Sequence, residues 1–156
     1  MLTRQLIRLL AFGVLGFFVV QACKPTEYTL DNLPDQQLRF GSGGGFAGTS
    51  TTHLLLANGQ YFRKPQQSQQ LGYVTAIDKR LAKEYLRRAR DLALESMEFD
   101  HPGNMYYFLD LTDGDTHGKV TWGDINHPMS DAVTGLYKEL IATVSKAQRE
   151  LPAVQK

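Results

Sequence analysis

The chain predicts an α+β domain: a mostly antiparallel sheet of four to six strands with two helices packed on one face. Three observations lead there. Residues 37–77 break into short runs rich in Thr, Leu, Tyr and Val, parted by a glycine cluster, an Asn58-Gly59 pair and a Gln-rich loop, and such runs favour strands. Two later segments, 78–97 and 131–148, place apolar residues at helical spacing. Between them, residues 105–111 and 119–122 return to strand composition around a turn near Asp113-Gly114.

The elements follow in order. Gln37 to Phe40 reads as a short strand entering the glycine cluster, and Thr49 to Leu56 as a second strand. Asn58-Gly59 is a strong hairpin signal, returning the chain along Gln60 to Lys64. Leu71 to Ile77 is a further strand. Leu81, Tyr85, Ala89, Leu92 and Ala93 then line one face of a helix from Asp78, a plausible N-cap, to about Met97. His101-Pro102-Gly103-Asn104 breaks the chain. In 105–111, alternation puts Tyr106 and Phe108 on one sheet face and Tyr107 on the other. The last helix, capped by Ser130, carries the stripe Val133, Leu136, Tyr137, Leu140, Ile141 and Val144, and Pro152 stops it.

The amino terminus is of another kind. Arg4 and Arg8 precede an uncharged run from Leu9 to Val20, and Val20-Gln21-Ala22 leads to Cys23, the only cysteine. That order is a signal segment, with a charged region, an apolar region and a small residue at the cut. The run is shorter than the roughly 20 residues a bilayer span needs. Val20-Gln21-Ala22-Cys23 resembles the lipobox of bacterial lipoproteins, although Gln21 is unusual there. The resemblance implies removal of residues 1–22, acylation of Cys23 and anchoring in a lipid bilayer, which needs at least two acyl chains to be firm. Lys24 follows the cysteine, where an aspartate would resemble the inner-membrane retention signal. The expected place is therefore the outer membrane of a Gram-negative cell envelope. Residues 23–36, with two prolines, read as the lipidated start and a flexible tether, and residues 37–150 as a single domain.

Charge narrows the function. Residues 23–156 carry 15 Lys and Arg, the chain's 17 less Arg4 and Arg8, against 16 Asp and Glu. A balance near −1 argues against a general nucleic-acid binder. A lone cysteine excludes an internal disulfide and a cysteine-rich zinc site.

Several constellations carry potential chemistry. Gly43, Gly45 and Gly48 satisfy G-x-G-x-x-G, but a strand follows where that fingerprint needs a helix N-terminus. Glycines there serve positive φ or close backbone approach, or leave bare backbone for a ligand. With the nearby aromatics, this makes Gly43, Gly44, Gly45, Phe46, Tyr107 and Trp122 the ligand-binding candidates. Asp113, Asp115 and Asp124 are a weak calcium candidate, because His117 stands where an oxygen ligand belongs and strands flank the loop. None of His53, His101, His117 and His127 has H-x-x-x-H spacing, so no zinc motif is read. Asp100, His101, Asp124 and His127 are the catalytic candidates, with no nucleophile evident. Arg80, Lys83, Arg87 and Arg90 form a basic helix stripe that reads first as a solvated face.

The segments Phe40-Gly41-Ser42-Gly43-Gly44-Gly45-Phe46-Ala47-Gly48, Leu54-Leu55-Leu56-Ala57-Asn58-Gly59, His101-Pro102-Gly103-Asn104 and Thr121-Trp122-Gly123-Asp124 together resemble a group of Bacteroidetes-type lipoproteins. The resemblance covers residues 37 to about 145. It implies an envelope-anchored α+β domain and brings no activity, cofactor or catalytic residue. The expectation is a membrane-tethered binding or structural module, contacting an envelope protein or a glycan, with no cofactor. The alternative is an envelope hydrolase using an Asp/His pair, which requires two of the four catalytic candidates to converge.

Overall fold

The computed structural model describes residues 27–66, 68 and 70–151, so the signal segment and Cys23 lie outside the described residues. The strands are β1 (Gln36–Gly44), β2 (Thr49–Leu56), β3 (Gln60–Lys64), β4 (Gly72–Ala76), β5 (Asp100–His101), β6 (Met105–Asp113) and β7 (Thr116–Trp122). The helices are α1 (Lys79–Asp91), between β4 and β5, and α2 (Asp131–Arg149), after β7. The strands form one mixed sheet in the order β4-β3-β2-β1-β6-β7-β5. Every neighbouring pair is antiparallel except β5 and β7, which run parallel.

The sheet thus has seven strands, not four to six. The added strand is Asp100–His101, which the sequence presents as the start of a chain break. Two residues have no periodicity of their own; they are strand because Asp100 pairs with Thr121 and His101 with Trp122. β1 also runs beyond Phe40, through the glycines to Gly44, between β2 and β6.

Alternation along the central strands decides the core. Leu38 lies between Leu55 and Leu111, and Phe40 between His53 and Leu109. Leu38, Phe40, Leu55, Leu109 and Leu111, with Tyr61, Val120 and Trp122, form one buried cluster with Ala82, Tyr85, Leu86 and Ala89 of α1 and Val133, Leu136, Leu140 and Val144 of α2. Both helices therefore bury their apolar stripes against the same sheet face. Leu81, expected in the α1 stripe, is on the exposed rim instead. Asp78 caps α1, accepting hydrogen bonds from the Arg80 and Leu81 amides at 2.9 and 3.0 Å. Ser130 holds the N-cap position of α2 without a side-chain capping bond.

α1 ends at Asp91, short of the expected Met97. Ala93 takes a left-handed conformation at φ 49°, and a 3₁₀ turn over Leu94–Ser96 follows. Leaving the helix there drives Leu94 into the core, where it is almost wholly buried.

The opposite sheet face has a smaller cluster of Leu54, Leu56 and Phe62, against which Tyr28, Leu33 and Leu71 pack. The Tyr28 amide donates to Gln60 Oε1 at 2.7 Å, and Gln60 Nε2 donates to the Tyr28 carbonyl at 3.2 Å. Tyr28 and Leu33 belong to the segment that the sequence assigns to the tether.

β1 gives the sheet a direction. It begins at Gln36 and Gln37, beside Asp113 and Leu56, where the chain enters, and ends at Gly44, beside Thr49 and Met105. Nine strand residues separate these two ends by about 27 Å.

Candidate functional site

Three glycine-bearing segments, far apart in sequence, meet at the Gly44 end of the sheet. The first is the β1–β2 turn, where Gly44, Gly45 and Gly48 all have positive φ. The second is residues 102–104, before β6. The third is residues 123–127, after β7. The Gly45 amide donates to the Asn104 carbonyl at 2.7 Å, and the Asp124 amide donates to the His101 carbonyl at 3.0 Å. Gly103 and Gly123 lie back to back: a β-carbon on Gly103 would strike the Gly123 carbonyl oxygen. No side chain fits between these two turns.

On the sheet face away from the helices, a β-carbon on Gly43 would stand 2.5 Å from the Tyr106 hydroxyl, and one on Gly41 would stand 2.9 Å from the Phe108 ring. The β6 aromatics lie over the bare β1 glycines, a cross-strand pairing that supplies the packing a glycine lacks. Gly43, a ligand candidate from sequence, is thus covered by Tyr106, and Gly44 backs onto the Asn104 carbonyl. Phe46 projects, fully exposed at the tip of the turn.

On the helix face, Tyr107, Trp122 and Tyr137 meet at one point. Their ring centroids are 5.9 Å apart for Tyr107–Trp122, 5.4 Å for Tyr107–Tyr137 and 5.3 Å for Trp122–Tyr137, the last two edge to face. With Met129, Asp131, Thr134 and Lys138 they line a cavity of about 430 Å³. Burial pushes the Tyr137 hydroxyl up to about 12, while Ser42 beside it pulls the other way. Ile125, 92% exposed, and Met105, half exposed, lie at this same end. A second cavity, of about 530 Å³, lies at the opposite end and is lined by Tyr28, Phe62 and Tyr73 among others.

The catalytic candidates partly converge. His127 Nδ1 lies 2.7 Å from Asp124 Oδ2, and the His101 and His127 rings stack at 4.1 Å and 6°. Phe99 sets its edge against His101 at 4.8 Å. Asp124 Oδ1 accepts from the Asn126 amide at 2.9 Å. That amide first, and His127 next, hold the Asp124 carboxyl below its ordinary value. Asp100 is exposed and outside this cluster. Among the described residues, no hydroxyl or thiol is hydrogen-bonded to His101 or His127, so the Asp124–His127 pair has no partnered nucleophile.

The calcium candidates are not brought together. Asp113 and Asp115 sit at the β6–β7 turn, and Asp124 lies at the far end of β7, about 20 Å away along a seven-residue strand. Asp113 is instead paired with Arg90 and accepts from Gln36 Nε2 at 3.0 Å. In the basic stripe, Arg87 is held by Glu84 and Asp91, as a solvated helix face would be.

Sequence reasoning missed Tyr137, whose helical spacing marks it as core, and Met129, Asp131, Thr134 and Lys138. It named His101 and His127 among the residues a hydrolase would bring together, but not the stacking of their rings, because the two come from separate turns. The one available signal was that each histidine precedes a proline in a segment next to the glycine-rich motifs. No protein-family model matches the chain, and no curated protein sequence is significantly similar to it.

Proposed function

We propose that the protein is a membrane-tethered binding module of the bacterial cell envelope. Acylated Cys23 holds it to the outer membrane, and the Gly44 end of its sheet meets an envelope partner. The observation that carries this reading is that exposed Phe46 and Ile125 and the Tyr107–Trp122–Tyr137 cavity all lie at the same end of the sheet, opposite the chain's entrance. Exposed apolar side chains at the same end as an aromatic-lined recess suit a protein contact. A glycan stacking on the rings is the other class of partner.

The tether sets the geometry. Five residue steps from Cys23 to Tyr28 span at most about 18 Å, and Tyr28 is bonded to Gln60. A lipid on Cys23 therefore keeps the entrance end near the bilayer and leaves the Gly44 end facing away from it.

Two experiments test the reading. Cys23→Ser is expected to abolish palmitate labelling and release the protein from membranes; persistent labelling overturns the anchor. A photo-crosslinking residue at Phe46 or Ile125 in the native host is expected to trap one discrete species that the same residue at Lys119 does not trap. Identical patterns at all three positions overturn the distal contact. Mass spectrometry of the species separates a protein partner from a carbohydrate one.

An envelope hydrolase is the second reading, favoured by the 2.7 Å Asp124–His127 contact, which would orient His127 as a base. It expects hydrolytic activity that His127→Gln removes. Activity unchanged in that variant eliminates it.

A further inference from the structure

We propose that His101, Asp124 and His127 form a binding site for a divalent transition cation of the zinc type. The inference is independent of what occupies the aromatic cavity. Two imidazoles and one carboxylate are a donor set suited to Zn²⁺, Ni²⁺ or Cu²⁺. One ligating atom from each residue lies within 4.8 Å of the other two.

A tetrahedral shell with bonds of about 2.0–2.2 Å sets donor atoms about 3.3–3.6 Å apart. The widest separation, up to 4.8 Å, must contract by about 1 Å and the 2.7 Å Asp124–His127 separation must open by somewhat less, and side-chain torsions supply the movement. The backbone is already fixed. The Asp124 amide donates to the His101 carbonyl at 3.0 Å, the His127 amide donates to the Asp124 carbonyl at 3.2 Å, and Gly103 rests on Gly123. The carboxylate is divided between two tasks: Oδ1 accepts from the Asn126 amide, and Oδ2 faces the histidines.

Stacked imidazoles cannot both aim a lone pair at one ion, because the ion must lie in the plane of each ring. One ring turns out of the stack to bind. His127 is exposed and turns by giving up its Asp124 contact, whereas Phe99 braces His101. The ion replaces the Asp124–His127 hydrogen bond. Three protein donors on an open face leave a fourth position for water or an exogenous ligand.

The test uses the full, tag-free chain carrying Cys23→Ser in detergent, so that no thiol competes. Zn²⁺ is titrated against a chromophoric chelator. One equivalent is expected to be withdrawn from the chelator, with affinity falling at least about tenfold in His101→Ala and in Asp124→Asn, and unchanged in His117→Gln. Circular dichroism identifies variants that have not folded. A second measurement needs no variant: bound Cu²⁺ is expected to show two imidazole nitrogens by electron paramagnetic resonance. The proposal is overturned if the unsubstituted site withdraws no Zn²⁺, if a folded His101→Ala/His127→Ala variant binds as tightly, or if fewer than two nitrogens are seen.

Discussion

Tyr106 lies over Gly43 so closely that a β-carbon there would stand 2.5 Å from its hydroxyl. Its neighbour Gly41 is bounded differently, by the Thr51 backbone carbonyl as well as the Phe108 ring. A side-chain tip can move aside, and a strand carbonyl cannot. Gly41→Ala is therefore expected to destabilise by about 2–3 kcal/mol and Gly43→Ala by about 1 kcal/mol. Urea unfolding of the two variants measures the order; a larger loss for Gly43→Ala would contradict it.

His53 gives the fold a pH dependence. It stacks between Phe40 and Tyr61, and Tyr61's hydroxyl lies 2.7 Å from its Nδ1. Burial, and then the charge of Arg63, bring it from 6.5 down to about 4. The unfolded chain takes the proton near 6.5 and the folded one only near 4, so the unfolded chain holds more protons between those values. Stability present above pH 6.5 is lost as the pH falls through 4, by about 3 kcal/mol at most. His53→Phe keeps the stack and removes the titration. Its unfolding free energy is expected to fall less than that of the unsubstituted protein between pH 7 and pH 4. Parallel profiles would show that His53 does not carry the effect.

The two helices are joined by a surface ion pair, Arg88–Glu139, and by buried side chains that include Leu86 and Leu136. The pair is partly exposed, and Arg88→Ala is expected to cost under about 1 kcal/mol. Leu136→Ala leaves a cavity in the core and is expected to cost about 2–5 kcal/mol. Thermal unfolding separates the two; a comparable drop in Tm for both would mean that the helices are held by charge, not burial.

Trp122 is the chain's single tryptophan and is 8% exposed at the wall of the aromatic cavity. Its fluorescence is expected to be blue-shifted and poorly quenched by iodide. Tyr107→Ala removes a ring that touches it and is expected to shift the emission red and raise the quenching. An unchanged spectrum would place the tryptophan out of reach of the cavity.

Much of the fold was legible because local pattern and tertiary role agree. The α2 stripe is buried or half-buried throughout, and Asp78 caps α1. Elsewhere a distant partner decides. Nothing local makes Gly41–Gly44 a strand; β2 and β6 on either side, with Tyr106 and Phe108 overhead, do. Helical spacing continues in sequence to Ala93, but Leu94 reaches the core only by leaving the helix. At the candidate site, Tyr107 and Trp122 were legible as aromatics on a hairpin. The His101–His127 stack was not, since no spacing rule links two separate turns.

The contact between Gly103 and Gly123 makes the far end of the sheet one mechanical part. The segment before β6 and the segment after β7 cannot shift independently, because each is the other's floor. A bulky residue at either glycine would pry apart the histidine pair and unseat the chain leading to Ile125 and Met129 in a single stroke. Damage to this contact would register at the histidine pair and at the exposed Ile125 together, although neither glycine belongs to either.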